Sequence, residues 1–171
     1  MSLENRFTED ELLLLSNTPY AIGSAMIFAG GSGLGTIKEM IANTKSFING
    51  AKEFPNNEII TGILPNLKDF EDTKEKSKDL KIHYKEWLKS KGIESFDKMQ
   101  TAVIEDAKEV SEILSSKSSQ SEADEYKEWA LSIAENVANA AKEGGFLGFG
   151  GERVSEDERV FLDKIKEALN I

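Results

Sequence analysis

Apolar positions recur at three-and-four spacing along most of the chain and nowhere alternate with a sustained period of two. That is the pattern of amphipathic helices, not strands. Residues 96–114 carry it most clearly, through Phe96, Met99, Val103, Ala107, Val110 and Leu114. A second stripe, Phe70, Thr73, Ser77, Leu80, Tyr84 and Trp87, is narrower and interrupted by polar residues. It predicts a helix lying on the outside of a bundle. Start signals are frequent. Thr8 with Glu11, Thr36 with Glu39, and Ser155 with Glu158 have the capping-box spacing, in which two backbone donors are satisfied reciprocally. Thr18-Pro19 reads as an N-cap before a first-turn proline, and Ser95 and Ser121 read as N-caps. Gly30, Gly50, Gly92 and Gly144 read as stops. The expected helices lie near 9–16, 19–30, 37–50, 56–64, 66–91, 96–116, 121–143 and 155–169. This is an all-α, single-domain bundle of seven to eight helices spanning 1–171, with Met1-Ser2-Leu3 given no structural weight.

Two segments can be laid over one another. Tyr20-Ala21 through Ala25 to Ala29 matches Trp129-Ala130 through Ala134 to Ala138, each followed by a glycine-rich segment and a new capping box. Alanines four apart make a smooth ridge that lets helix axes approach closely. Ordinary packing and an internal pseudo-twofold repeat both fit this pattern. Under either, these two helices form the centre of the core.

Composition narrows the chemistry. At 171 residues and 18.9 kDa, folding buries about 70% of the extended chain's surface, enough for one core without cross-links. With no cysteine, disulfides, thiolate metal sites and a cysteine nucleophile are excluded. His83 is the only histidine, which excludes most His-based triads and di-iron arrangements. Net charge is −10, from 31 acidic and 21 basic residues. Arg6, Arg153 and Arg159 are the only arginines. Neither nucleic acid nor an anionic membrane is expected as a partner. Acid concentrates in 105–128, where an exposed acidic face is expected opposite Val103, Ala107, Val110 and Leu114. Leu12–Ile37 carries no charge. Read as broken at Ser16–Pro19 and again at Gly30, it leaves eleven residues, where a span needs about 20. Glu4, Glu9, Asp10 and Glu11 occupy what would be a basic leader. The expected location is the cytoplasm.

Few motifs could carry chemistry. Gly30-Gly31-Ser32-Gly33-Leu34-Gly35-Thr36 follows a helix and lacks the Gly-Lys-Ser/Thr ending of a phosphate loop, so it reads as a turn. His83 reads as a solvated surface residue on a polar helix. The first-turn acids Glu122, Asp124, Glu125 and Glu128, like Glu156, Asp157 and Glu158, complement helix dipoles; as oxygen ligands they would suit Ca²⁺, Mg²⁺ or Mn²⁺. Residues 144–151 interleave five glycines with Phe146, Leu147 and Phe149. Two readings stand: a plug closing the end of the bundle, or an apolar loop recognising a partner or a second copy of the chain.

The run Ala134–Gly145, then Val154–Glu158 and Phe161–Ile165, resembles the tellurite-resistance TerB-like helical domains. These have an alanine-rich helix, an acidic-glycine turn and a glutamate opening the next helix. The resemblance covers about forty residues and implies a bundle of roughly seven helices with acidic metal-binding residues and a link to stress response. On it, Glu143 matches the turn acid and Glu158 the helix-opening glutamate. Here the turn acid is Glu where the family has Asp, and the spacer is longer. The expectation is therefore a non-enzymatic, stress-linked domain that binds a protein or ligand and carries no cofactor. The alternative is a carboxylate-based divalent metal-binding protein, with Glu143 and Glu158 as ligands.

Overall fold

The computed structural model describes residues 3–29, 36–140 and 154–171. Among them are α1 (Glu9–Ala29), α2 (Thr36–Glu53), α3 (Glu58–Ile63), α4 (Phe70–Ser90), α5 (Phe96–Lys117), α6 (Gln120–Ala140) and α7 (Glu156–Leu169), with no strand. The fold is an all-α bundle. Leu3, given no weight above, belongs to a 3-10 turn at Leu3–Asn5 and packs directly over Gly62 of α3.

Local chemistry explains most boundaries. The Ser155 side chain accepts from the Glu158 amide, and Glu158 Oε2 accepts from Ser155 N at 2.7 Å, closing the expected capping box of α7. Thr8 and Glu11 do the same before α1. Asp69 and Ser95 cap α4 and α5. Asn57 caps α3, its Oδ1 accepting from the Ile60 amide at 3.0 Å. Of the pair expected to open α2, Glu39 is buried, with Oε2 lacking a hydrogen-bond partner.

Two expected interruptions are absent. Pro19 lies inside a continuous α1. A proline in a helix removes the bond its amide would make to the carbonyl four residues back, here Leu15. The Tyr126 hydroxyl donates to Leu15 O at 2.6 Å and so replaces that bond. Likewise α2 continues through Gly50 to Glu53. The Trp129 indole lies directly against Gly50, where any Cβ would collide with it. The glycine serves close packing and is not a stop.

As expected, α1 and α6 form the centre, with Ala21, Ala25, Ala130 and Ala134 each at most 1% exposed. Leu15 meets Tyr126, and Gly23 meets Ile133, so the two helices run in the same direction. Gly23 also faces Asn43, bringing α1, α2 and α6 together at one point. Helix α2 lies broadly against α6, whereas α7 lies chiefly against α5. The surroundings of α1 and α6 therefore differ. By length and hydropathy α1 could cross a membrane, but 67% of its apolar window is buried inside the bundle.

The acidic segment departs from a single exposed face. Val103, Ala107, Val110 and Leu114 are fully buried, and Glu105, Glu109 and Glu112 are exposed. Asp106 is buried at 2% exposure. Its carboxylate accepts from Lys91 Nζ and from Trp87 Nε1, both at 2.6 Å. Glu122 is held by Arg6 at 2.9 and 3.1 Å.

Tyr126→Phe leaves the Leu15 carbonyl buried without a donor, which costs about 1–3 kcal/mol. Urea unfolding should show that loss with an unchanged m-value. Full stability in the variant would mean that α1 tolerates Pro19 unaided.

Candidate functional site

Among the described residues helix α4 packs closely on only one other helix, α1, because its inward stripe is narrow. The stripe engages from its C-terminal end. Trp87 is buried, Leu80 and Tyr84 are half-buried, and Phe70 is 77% exposed. Two polar clamps fix the helix. At one end the Lys91–Asp106–Trp87 cluster ties it to α5. Nearer the other, Lys76 Nζ donates to the carbonyls of Gly62 and Leu64, both at 2.9 Å, satisfying the C-terminus of α3.

Between α4 and the body lies a groove of about 940 Å³. Its walls are Leu12 and Leu13 of α1, Ile48 of α2, Ile63 of α3 and Leu80 of α4, with Tyr20, Phe47 and Tyr84 among its aromatic lining. The aromatic lining continues into the core. Ring centroids run from Trp87 to Tyr84 (5.6 Å), Tyr20 (5.2 Å), Phe47 (5.7 Å), Trp129 (5.4 Å) and Tyr126 (5.5 Å). Such pairs add about 0.5–1.5 kcal/mol each beyond area burial, so this side of the groove is preformed and stiff. Burial pushes the Tyr84 phenol up, partly opposed by its hydrogen bond with Ser24.

Polar groups sit among the lining: Glu9, Ser16, Asp79, Lys81 and His83. His83, expected on the open surface, is half-buried here. The Ser16 hydroxyl donates to Leu12 O at 2.8 Å and Leu13 O at 3.1 Å, so it is occupied by its own helix. The groove offers apolar surface, aromatic rings and a mixed-charge rim, the composition of a site that binds an apolar body.

The candidate metal and loop residues fare differently. Glu158 is 4% exposed, and its Oε2 is spent on the Ser155 amide and hydroxyl at 2.7 and 2.8 Å. Glu39 is equally buried at 4%. Burial first, and then the nearby Glu158 charge, hold the Glu39 carboxyl above its ordinary value. Among the described residues no group of three or more Asp, Glu or His side chains is arranged to hold a metal ion. Glu143, Phe146, Leu147 and Phe149 lie outside the described residues, as does the glycine segment 30–35. The periodicity of α4 signalled the groove only indirectly, through a stripe too narrow to bury a whole helix. No family model, curated protein or solved structure matches the chain.

The raised Glu39 value sets a pH dependence. The folded state binds this proton more tightly than the unfolded chain, whose value is near 4.5. Stability from this group is therefore complete below that value and falls as pH rises through the folded one. Glu39→Gln should raise the melting temperature at neutral pH and lose that advantage on acidification below about pH 4.5. A variant with no pH-dependent difference from the parent chain would show that Glu39 titrates normally.

Proposed function

We propose that this chain is a non-enzymatic binding module whose groove between α4 and α1–α3 takes an elongated apolar ligand. The observation behind the reading is the groove itself. A preformed apolar cleft of about 940 Å³ falls within the roughly 300–1,000 Å³ typical of ligand sites. Its one wall with few supports, α4, can adjust to the occupant's width, while the aromatic run beneath is held by the core. The half-buried His83 and the exposed Lys81 at the rim suit a ligand with a polar end, such as a long-chain amphiphile.

A second reading, divalent-cation binding by carboxylates as in TerB-like domains, draws on Glu39. This buried acid has an unpartnered Oε2 and lies near the buried Glu158. Two acids alone fall short of the 6–8 oxygens Ca²⁺ takes. Calorimetric titration with Ca²⁺, Mg²⁺ and Mn²⁺ separates the readings: heat that disappears in Glu158→Gln would favour the cation.

The groove is tested with a neutral fluorescent probe such as phenylnaphthylamine, displaced by a long-chain fatty acid or alcohol. Saturable enhancement in the parent chain and its loss in Ile48→Arg, with helicity retained, is the expected outcome. An equal response in both proteins would place the probe elsewhere. No saturable response at micromolar protein would remove the ligand-binding reading.

A further inference from the structure

An exposed face of α4 carries Lys74, Lys78, Lys81 and Lys85, at steps of four, three and four residues. Residues at this spacing share one side of a helix. Helix α5 carries Glu105, Glu109 and Glu112 at steps of four and three, also exposed. Several other charges are committed within the chain. Lys76 is paired with Asp72, Lys91 with Asp106, Lys98 with Glu94 and Lys117 with Glu11. None of the seven side chains in the two rows has an ion pair among the described residues. The lysine row is basic on a protein of net charge −10, and three glutamates at matching steps, with Lys108 beside them, lie on the same chain. Phe70 and Ile82, 77% and 42% exposed, flank the row. They line a shallow depression along α4 with Lys74, Ser77 and Lys78.

We infer that two copies of this chain associate by laying the lysine row of α4 on the glutamate row of α5 of a second copy. The reciprocal contact pairs the remaining two rows, so the dimer is isologous and closed. Phe70 and Ile82 lose exposure at the edge of each contact. Most of the attraction is between surface charges, so the interface is at the weak, transient end of the size scale and dissociates as salt screens it. The surface meets the groove at Lys81, which borders both, whereas Lys74 and Lys78, the residues varied below, do not line the cleft.

Sedimentation velocity on the full chain, at about 10 mM and then about 500 mM salt, tests this with two charge-reversed variants, K74E/K78E and E105K/E109K. The parent chain should dimerise at low salt and be monomeric at high salt. Each variant alone juxtaposes like charges in both contacts and should weaken dimerisation more than about tenfold. An equimolar mixture of the two should restore a dimer containing one chain of each. Circular dichroism of each variant, unchanged from the parent, shows that both fold. A parent chain that is monomeric at low salt overturns the inference. So does a dimer that persists in either variant, or a mixture that stays monomeric. A dimer unaffected by salt would point instead to association through the apolar groove.

Discussion

The bundle depends on the hydrogen bond from Tyr126 to the Leu15 carbonyl. Helix α1 carries a proline in its middle, so one carbonyl at the centre of the core has lost its natural donor. A buried, unpaired carbonyl is costly enough to break a helix or expose it. The phenol of α6 removes the problem from the side, at 2.6 Å. With that bond in place α1 runs unbroken for 21 residues and touches every other helix of the described structure. The aromatic residue that repairs α1 also starts the ring-to-ring run that crosses the core to α4. One side chain thus couples the integrity of the central helix to the floor of the groove.

The groove follows from how α4 is attached. A helix with a broad apolar stripe would sink along its whole length and leave no space beneath. Helix α4 has a narrow stripe and many charges, so hydrophobic burial can hold only the turn around Trp87. The rest is held by point contacts, chiefly the Lys76 ammonium on the open carbonyls at the end of α3. Attachment at separated points, with apolar side chains facing the gap, is a geometry that leaves a cleft lined by hydrophobic residues. The same scarcity of apolar surface that keeps α4 on the outside leaves its far face to lysine.

Much of the architecture was legible from sequence because it is set locally. Ser95 and the Ser155–Glu158 pair mark their helices by chemistry within four residues, and the inward row from Val103 to Leu114 is read directly from its period. The misreadings share one cause. Pro19, Gly50 and Asp106 each mean something different once a partner distant in sequence is supplied. Tyr126 is 111 residues from Leu15. Trp129 fills the space above Gly50. Trp87 and Lys91 turn an expected surface acid into a buried, ion-paired one. His83 belongs to the same class, since its half-burial depends on where α4 comes to rest. Local patterns therefore placed the helices, while the groove emerged only from their arrangement.

Charge is organised on the same principle. Where a lysine or arginine is near an open carbonyl or a buried acid, it is used: Lys76 on α3, Lys91 on Asp106, Arg6 on Glu122. Burying an unpaired acid such as Asp106 would cost several kcal/mol, so its partners are required by the fold. The lysine row of α4 and the glutamate row of α5 answer no such requirement. Exposed ion pairs contribute little to folding, and the chain does not bring these two rows together within itself. Charges that the fold does not need are free to set how the surface meets another surface, whereas the apolar cleft beneath α4 is governed mainly by packing. The helix least integrated into the core thus carries two separable properties, one responsive to salt and one to hydrophobic occupancy.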